Sequence, residues 1–501
     1  MKKIQIVANK LFIPICIAFY FLIVGVNYLY KCDPYLWFDE AGQFWISKGL
    51  NHDSDPMSQS GSVVDVVINN QDYNLDPGGF GIIMHFWSMV SNGYIWLRTL
   101  PYLFYLGVVM SVIYLSYRWT KNKFVALLMG FVPVINDLIS RSMFEIRAYS
   151  MEVLGVLVAI IVVDKLREKI TFRRLLISSM IISVFLTSRY SYWVVAFVTS
   201  TYVLYLIVTS NHEKNTKFWM CSIYAIPMSL TLIGIYFLAL RWQNPELKAL
   251  SYLPYISNDP KLLIKSSNLS LLFKLVIIIW LCFIIRQTKL FSKYIGLAYV
   301  TIVTNVMFLV LSFLGKHPWD SETTRCISMM TLGLVSSVAL LGELINYLMK
   351  KRDMKYVILA IMLVLFVYPA LEKDYWEKNG RNNSLTDVRL MQYNSNAKIY
   401  VDRWESPCIR YQFEYGKLLD KYEYPKNFVF VKMFKHGFVK KGEKKMSRDE
   451  YYQTQPNLND LLEFDILIVP ELYKYKSDNS DKWESVNGNG RVWYKKCQYE
   501  E

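Results

Sequence analysis

Charge is scarce in this chain of 501 residues: Asp, Glu, Lys and Arg make up 19%, against 53% hydrophobic and 16% aromatic residues. A soluble protein of this length carries more polar surface, so a wholly soluble globular fold is excluded. The seven cysteines (Cys16, Cys32, Cys221, Cys282, Cys326, Cys408 and Cys497) show no CxxC or other metal-ligand spacing, which removes a zinc module. Cys408 and Cys497 share the C-terminal segment and could pair in an oxidising compartment, or stand as two separate thiols. No internal repeat is visible. No small-residue cleavage site follows the first apolar run, so Lys2, Lys3 and Lys10 are expected to introduce a helix that stays as an anchor.

What the chain has instead is apolar runs close to the ~20 residues that cross a bilayer. They predict spans near 11–30, 94–117, 124–143, 148–163, 175–188, 191–209, 218–240, 271–287, 294–314, 326–348 and 356–371, about eleven crossings of a multi-pass α-helical protein. The net charge of +15 invites a nucleic-acid reading, but its distribution argues against one. Residues 1–371 hold 33 Lys and Arg against 20 Asp and Glu; residues 372–501 hold 23 against 21. The excess sits in short loops: Arg118/Lys121/Lys123, Lys165/Arg167/Lys169/Arg173/Arg174, Lys214/Lys217, Arg286/Lys289/Lys293 and Lys350/Lys351/Arg352/Lys355. Basic loops of this kind are the cytoplasmic ones. The N-terminus is then cytoplasmic, and the acidic loop 31–93 and the tail 372–501 are extracytoplasmic.

Within that first outer loop, Ala41, Phe44, Trp45 and Lys48 have helical spacing, as an interfacial helix does. The stretch 79–90 is apolar but too short to span; it predicts a second surface helix after the turn at Asp76-Pro-Gly-Gly79. The tail reads as a small α/β domain. Its β-rich runs are 398–402, 427–432, 465–470 and 491–495, separated by amphipathic stretches near 406–419 and 457–463. It carries no catalytic motif, which suits a lid or docking module.

Asp39 and Glu40 stand at the mouth of the first span, where a carboxylate loses hydration and is costly to keep. They read either as a solvated loop rim or as chemistry. Asp137, Arg141, Glu145 and Tyr149 fall at i, i+4, i+8 and i+12, one polar stripe if the helix is continuous, broken if a turn intervenes near 144–148. Arg98, Arg189 with Tyr190, and the loop group His317, Asp320, Glu322 and Arg325 reach the same outer face in this topology. Arginines there can hold a lipid phosphate by forked hydrogen bonds or simply snorkel to headgroups. His85 lies on the short surface helix, where a headgroup or helix contact is the ordinary role; His52 and Asp53 sit in a polar loop.

Taken in order, these landmarks resemble the GT-C membrane glycosyltransferases, glycosyltransferase family 39 with its protein O-mannosyltransferase and aminoarabinose-transferase branches. Trp37-Phe-Asp-Glu40 is similar to that family's Asp-Glu motif. Asp76-Pro-Gly-Gly-Phe-Gly-Ile-Ile-Met-His-Phe-Trp87 resembles its Pro-rich turn and interfacial helix, with Gly78 where a second proline is usual. Leu97-Arg-Thr-Leu-Pro101 resembles the start of its second helix. Phe144-Glu-Ile-Arg-Ala-Tyr-Ser150 resembles a Glu-x-Arg-x-Tyr pattern, and Thr324-Arg-Cys-Ile327 an Arg-Tyr motif with Cys326 in place of Tyr. The resemblance covers the membrane half, most strongly 30–150.

It implies a cell-envelope transferase that moves a sugar from a polyprenyl phosphate to an acceptor hydroxyl with inversion. Asp39 would be the general base, and Glu40 would orient the acceptor or a helix end. Glu145 would bind the acceptor or fix Arg147. Arg147, Arg325 and Arg98 would hold the leaving phosphate, with Tyr149, Arg189, His317 and His85 around the substrate. No cofactor is expected, although some GT-C enzymes use a divalent cation and room for one at Asp39 is left open. The donor lipid, a glycan, lipid or protein acceptor, and membrane lipid are the implied partners; nucleic acid is not. Two rival readings are a transporter of a lipid-linked sugar and a non-catalytic scaffold. The first expects polar groups through the midplane, and the second leaves the acidic pair without a role.

Overall fold

Backbone polar groups inside an apolar layer must satisfy one another, and helices do this within one segment. The computed structural model describes residues 25, 36–50, 60–74, 76–136, 139–140, 143–243, 289–317, 324–351, 399–401, 406–415, 428–430, 462–468, 483–485 and 492–495. Three short helices come first: α1 (Phe38–Ser47), α2 (Val63–Tyr73) and α3 (Gly79–Ser88). Then follow α4 (Tyr94–Thr120), α5 (Lys123–Met129), α6 (Val132–Ile135), α7 (Tyr149–Glu168), α8 (Phe172–Leu186), α9 (Tyr190–Thr209), α10 (Lys214–Leu238), α11 (Lys289–Phe313) and α12 (Ile327–Lys351). Among the described residues, five helices are long and apolar enough to cross a membrane: α4, α9, α10, α11 and α12. This is a helical, multi-pass membrane protein. The stretches expected to span at 148–163 and 175–188 are the helices α7 and α8, which are not among those five. Those near 11–30, 271–287 and 356–371 lie outside the described residues, Gly25 excepted.

The span expected at 124–143 is not one helix. It breaks after Met129, and Pro133 sits in the first turn of α6, where a missing N–H is tolerated. Residues 143–148 form turns, with the Arg147 amide bonded to the Glu145 carbonyl at 2.7 Å. The proposed polar stripe is therefore interrupted before Tyr149; Asp137 and Arg141 lie outside the described residues.

Side-chain bonds fix how the helices run. At one end of the bundle the last turn of α4 meets the last turn of α7, through Arg118 with Asp164 and Glu168. Asn346 near the end of α12 donates to Thr120 there (3.3 Å), and Arg167 donates to the carbonyl of Lys293 at the start of α11 (2.9 Å). So α4, α7 and α12 run alike and α11 runs opposite. The first turns of α4, α7, α9 and α12 gather at the other end, under α1–α3. Close packing needs small residues, as at Gly155 of α7, where a Cβ would stand 2.9 Å from Phe185 and 3.0 Å from Tyr192.

The Ala41/Phe44/Trp45/Lys48 face of α1 is buried in protein rather than laid on lipid. Sequence periodicity overlooked α2, whose capping box is complete: Ser62 Oγ accepts from the Asp65 amide (3.3 Å) and Asp65 accepts from the Ser62 amide (2.7 Å). The turn before α3 carries Gly78 at φ +94°, a conformation closed to proline. Next to it, Gly79 donates to the Thr187 carbonyl at 3.0 Å, and a Cβ on it would lie 2.1 Å from Thr187 Oγ1.

In the tail, β1 (Ile399–Val401), β2 (Phe428–Phe430), β3 (Ile466–Ile468), β4 (Trp483–Ser485) and β5 (Val492–Lys495) form one sheet in the order β2-β1-β3-β5-β4. β1 is parallel to β2 and β3, while β5 is antiparallel to β3 and β4. The helix α13 (Ser406–Tyr415) lies between β1 and β2 in the chain and packs on α1. Trp45 Nε1 donates to the Pro407 carbonyl (3.1 Å), Phe44 meets Tyr411 edge-on at 5.0 Å, and Tyr411 donates to the Asn92 carbonyl (2.8 Å). Four expected strands and the amphipathic stretch at 406–419 have counterparts; β4 had none. Cys497 lies outside the described residues, and with it any pairing to Cys408.

Candidate functional site

Asp39 and Glu40 are neighbours on α1 with different surroundings. Glu40 is fully buried and faces Arg98, equally buried at the start of α4. Arg98 Nη1 and Nη2 grip the two carboxylate oxygens at 2.6 and 2.8 Å, a fork-to-fork pair. Nη1 also donates to the Phe144 carbonyl at 2.5 Å. The Glu40 carboxylate further accepts from the Ile146 amide (2.9 Å) and, as a helix cap, from the Trp37 amide (3.3 Å). One carboxylate thus pins α1, α4 and the 143–148 turn together. Burial pushes Glu40 up to about 7 against the pull of Arg98, and buried Glu145 close by pushes the same way.

A second cluster gathers beside it. Asp76 Oδ1 accepts from Arg189 Nε at 3.2 Å, and Asp76 Oδ2 lies 4.0 Å from Arg147 Nη2. The Tyr149 ring carries both guanidinium groups, Arg189 at 4.7 Å and Arg147 at 5.7 Å from its centroid. Arg189 Nη1 reaches on to Glu152 at 3.1 Å. Asp76 is held by its main chain: Asn70 donates to its carbonyl (2.9 Å), and Asn74 bridges Asn70 to Gln43 of α1 (3.0 Å each).

This cluster is incompletely bonded. Asp76 Oδ2 and Arg147 Nε are buried, and neither has a hydrogen-bond partner among the described residues. The Arg147 side chain keeps 17% of its surface exposed, Arg189 11% and Asp76 10%. Asp39, half-buried, lies within electrostatic reach of Arg147. Burial pulls that guanidinium down, but Tyr149, Asp39 and Asp76 together raise it, so Arg147 stays a cation throughout. A partly exposed cation with a buried, unfilled donor, a second guanidinium on the same ring and a carboxylate at the edge can bind a compact anion and take a proton next to it.

The remaining candidates are spread around this centre. His85 is buried on α3 and donates from Nδ1 to the Ser47 carbonyl (2.7 Å), closing the end of α1. His317 packs edge-on against Phe308 (4.8 Å) at the end of α11. Arg325 lies in the 3-10 turn Thr324–Cys326 that leads into α12, three residues before Ser328, which donates to Glu152. Asp320 and Glu322 fall outside the described residues. Sequence reading passed over Asp76, taken as a turn residue, and Glu152, although a lone carboxylate in an apolar helix is itself a signal. Among the described residues no group of three or more His, Cys, Asp or Glu is placed to hold a metal ion. No family model and no curated protein matches the sequence.

Proposed function

We propose that the protein is an inverting, polyprenyl-phosphate-dependent glycosyltransferase with a GT-C-like membrane domain (1–371) and an extracytoplasmic α/β domain (372–501). The observation that carries this reading is Arg147: a partly exposed guanidinium whose Nε is buried and unfilled, set with Arg189 on Tyr149 and within electrostatic reach of Asp39 and Asp76. The donor's phosphate sits against Arg147 and Arg189. Asp39 takes the proton from an acceptor hydroxyl as its oxygen attacks the anomeric carbon. The bond from that carbon to the phosphate oxygen breaks, and its electron pair leaves with the lipid phosphate, whose charge the two arginines stabilise. One displacement inverts the anomeric centre. In this reading Arg325, on the turn that precedes Ser328, adds a third guanidinium for the phosphate, and His317 and Glu145 keep the substrate-side roles that the family resemblance implies.

Glu40 and Arg98 have other work. Their mutual bonds pair their charged atoms and hold α1 where Asp39 lies within electrostatic reach of Arg147, so they position the site and do not touch substrate. About eleven crossings, a cytoplasmic N-terminus and an outward-facing site complete the proposal, resting on the basic loops. Asp39→Asn separates it from its rivals. The variant should fold and reach the membrane yet abolish sugar transfer, read by mass spectrometry of outer-face glycans in cells with and without the protein. A transporter or scaffold would leave those glycans unchanged by this substitution.

A further inference from the structure

Glu152 takes no part in the displacement, yet three donors converge on it. It is fully buried in α7, one turn below Tyr149. Its carboxylate accepts from Arg189 Nη1 (3.1 Å), from Ser191 Oγ in the first turn of α9 (2.7 Å) and from Ser328 Oγ in the first turn of α12. A carboxylate in an apolar bundle is retained only when such partners fill it. Arg189 needs the same attention. Without a fixed partner on its far side, its guanidinium would close fully onto Asp76, already 3.2 Å from its Nε, and turn its donors away from any ligand.

We propose that Glu152 is the positioning residue of the anion site. By competing with Asp76 for Arg189 it holds the guanidinium over the Tyr149 ring, the same side chain that Arg147 approaches, in position for a phosphate. This rests on the reading of Arg147 and Arg189 as a phosphate site. Neutralising Glu152 leaves its volume and its serine bonds but removes the pull on Arg189.

The test uses the full chain, purified in detergent, with a polyprenyl phosphate as probe and the matching polyprenyl alcohol as control. The wild type should bind the phosphate in clear preference to the alcohol. Glu152→Gln should weaken phosphate binding by about tenfold or more, and Glu152→Asp, which keeps the charge, should recover part of the loss. In an Arg189→Ala background, Glu152→Gln should weaken binding no further, because its effect runs through Arg189. If Glu152→Gln does not accumulate, Ser191→Ala, which loosens Glu152 without touching Arg189, should weaken binding about threefold. A wild type indifferent to the phosphate would overturn the anion site and this inference with it. A discriminating wild type would overturn the inference alone if Glu152→Gln or its serine substitute binds normally, or if the loss is equal in both backgrounds.

Discussion

Two carboxylate–guanidinium clusters lie side by side at one end of the bundle, and they differ in what is left over. In the first, Glu40 and Arg98 are completely buried, matched fork to fork and sealed by the Ile146 amide and the Phe144 carbonyl. In the second, Arg189 serves two carboxylates, while Asp76 Oδ2 and Arg147 Nε are buried with bonds unmade. A sealed pair uses its charge to hold backbone in place. An unfilled one keeps a capacity that only a ligand can use. The same residue types thus build architecture in one cluster and a binding site in the other.

Breaking the sealed pair should have the largest effect on folding. Arg98→Ala or Glu40→Ala strands a buried charge and should destabilise by about 3–5 kcal/mol, seen as a fall in the thermal unfolding temperature of the detergent-purified protein. Replacing both together, Glu40→Leu with Arg98→Met, should recover much of that loss, since an apolar pair leaves no charge behind. A double variant as unstable as the worse single one would show that the pair does more than anchor α1.

Protonation probes the same pair more gently. The Glu40 carboxyl binds its proton more tightly folded, near 7, than at its ordinary 4.5. Its contribution is therefore fully present below pH 4.5 and is lost as pH rises through about 7, by roughly 3 kcal/mol. Glu40→Gln should flatten the stability profile over pH 5–8 relative to the wild type; an unchanged slope would mean that another group titrates there.

The backbone joint under the unfilled cluster is tested by Gly79→Ala. The added methyl meets Thr187 Oγ1 at 2.1 Å and the Thr187 carbonyl at 2.8 Å, so α3 or the residue pair ahead of Arg189 must move. A loss of about 1–3 kcal/mol is expected by thermal unfolding, with weakened phosphate binding because Asp76 and Arg189 shift together. Smallest in stability is Arg147→Ala. It removes no hydrogen bond made by Nε and should change stability by about 1 kcal/mol or less.

Sequence alone reached the acidic doublet, the Glu145–Tyr149 segment and the separate arginines, because charged residues in an apolar chain stand out. It also placed α3 and four of the five strands, whose apolar runs end at turn residues. It did not separate Asp39 from Glu40. Successive helical positions point about 100° apart, and which one meets Arg98 depends on how α1 packs. The sequence left open whether the stripe from Asp137 to Tyr149 ran on or broke near 144–148; the turn at 143–148 is held by distant Glu40 and Arg98 rather than by a local breaker, so the local sequence could not decide. Asp76 and Glu152 gain their meaning only from Arg189, more than thirty positions away in the chain. β4 is short and mixed in character, and only its pairing with β5 makes it a strand.

The most direct test of the unfilled cluster is polyprenyl-phosphate binding to Arg147→Ala beside the wild type, with unfolding temperatures measured on the same preparations. The account predicts nearly equal unfolding temperatures and phosphate binding reduced to the level of the polyprenyl alcohol. Full phosphate affinity in a normally folded Arg147→Ala protein would contradict it.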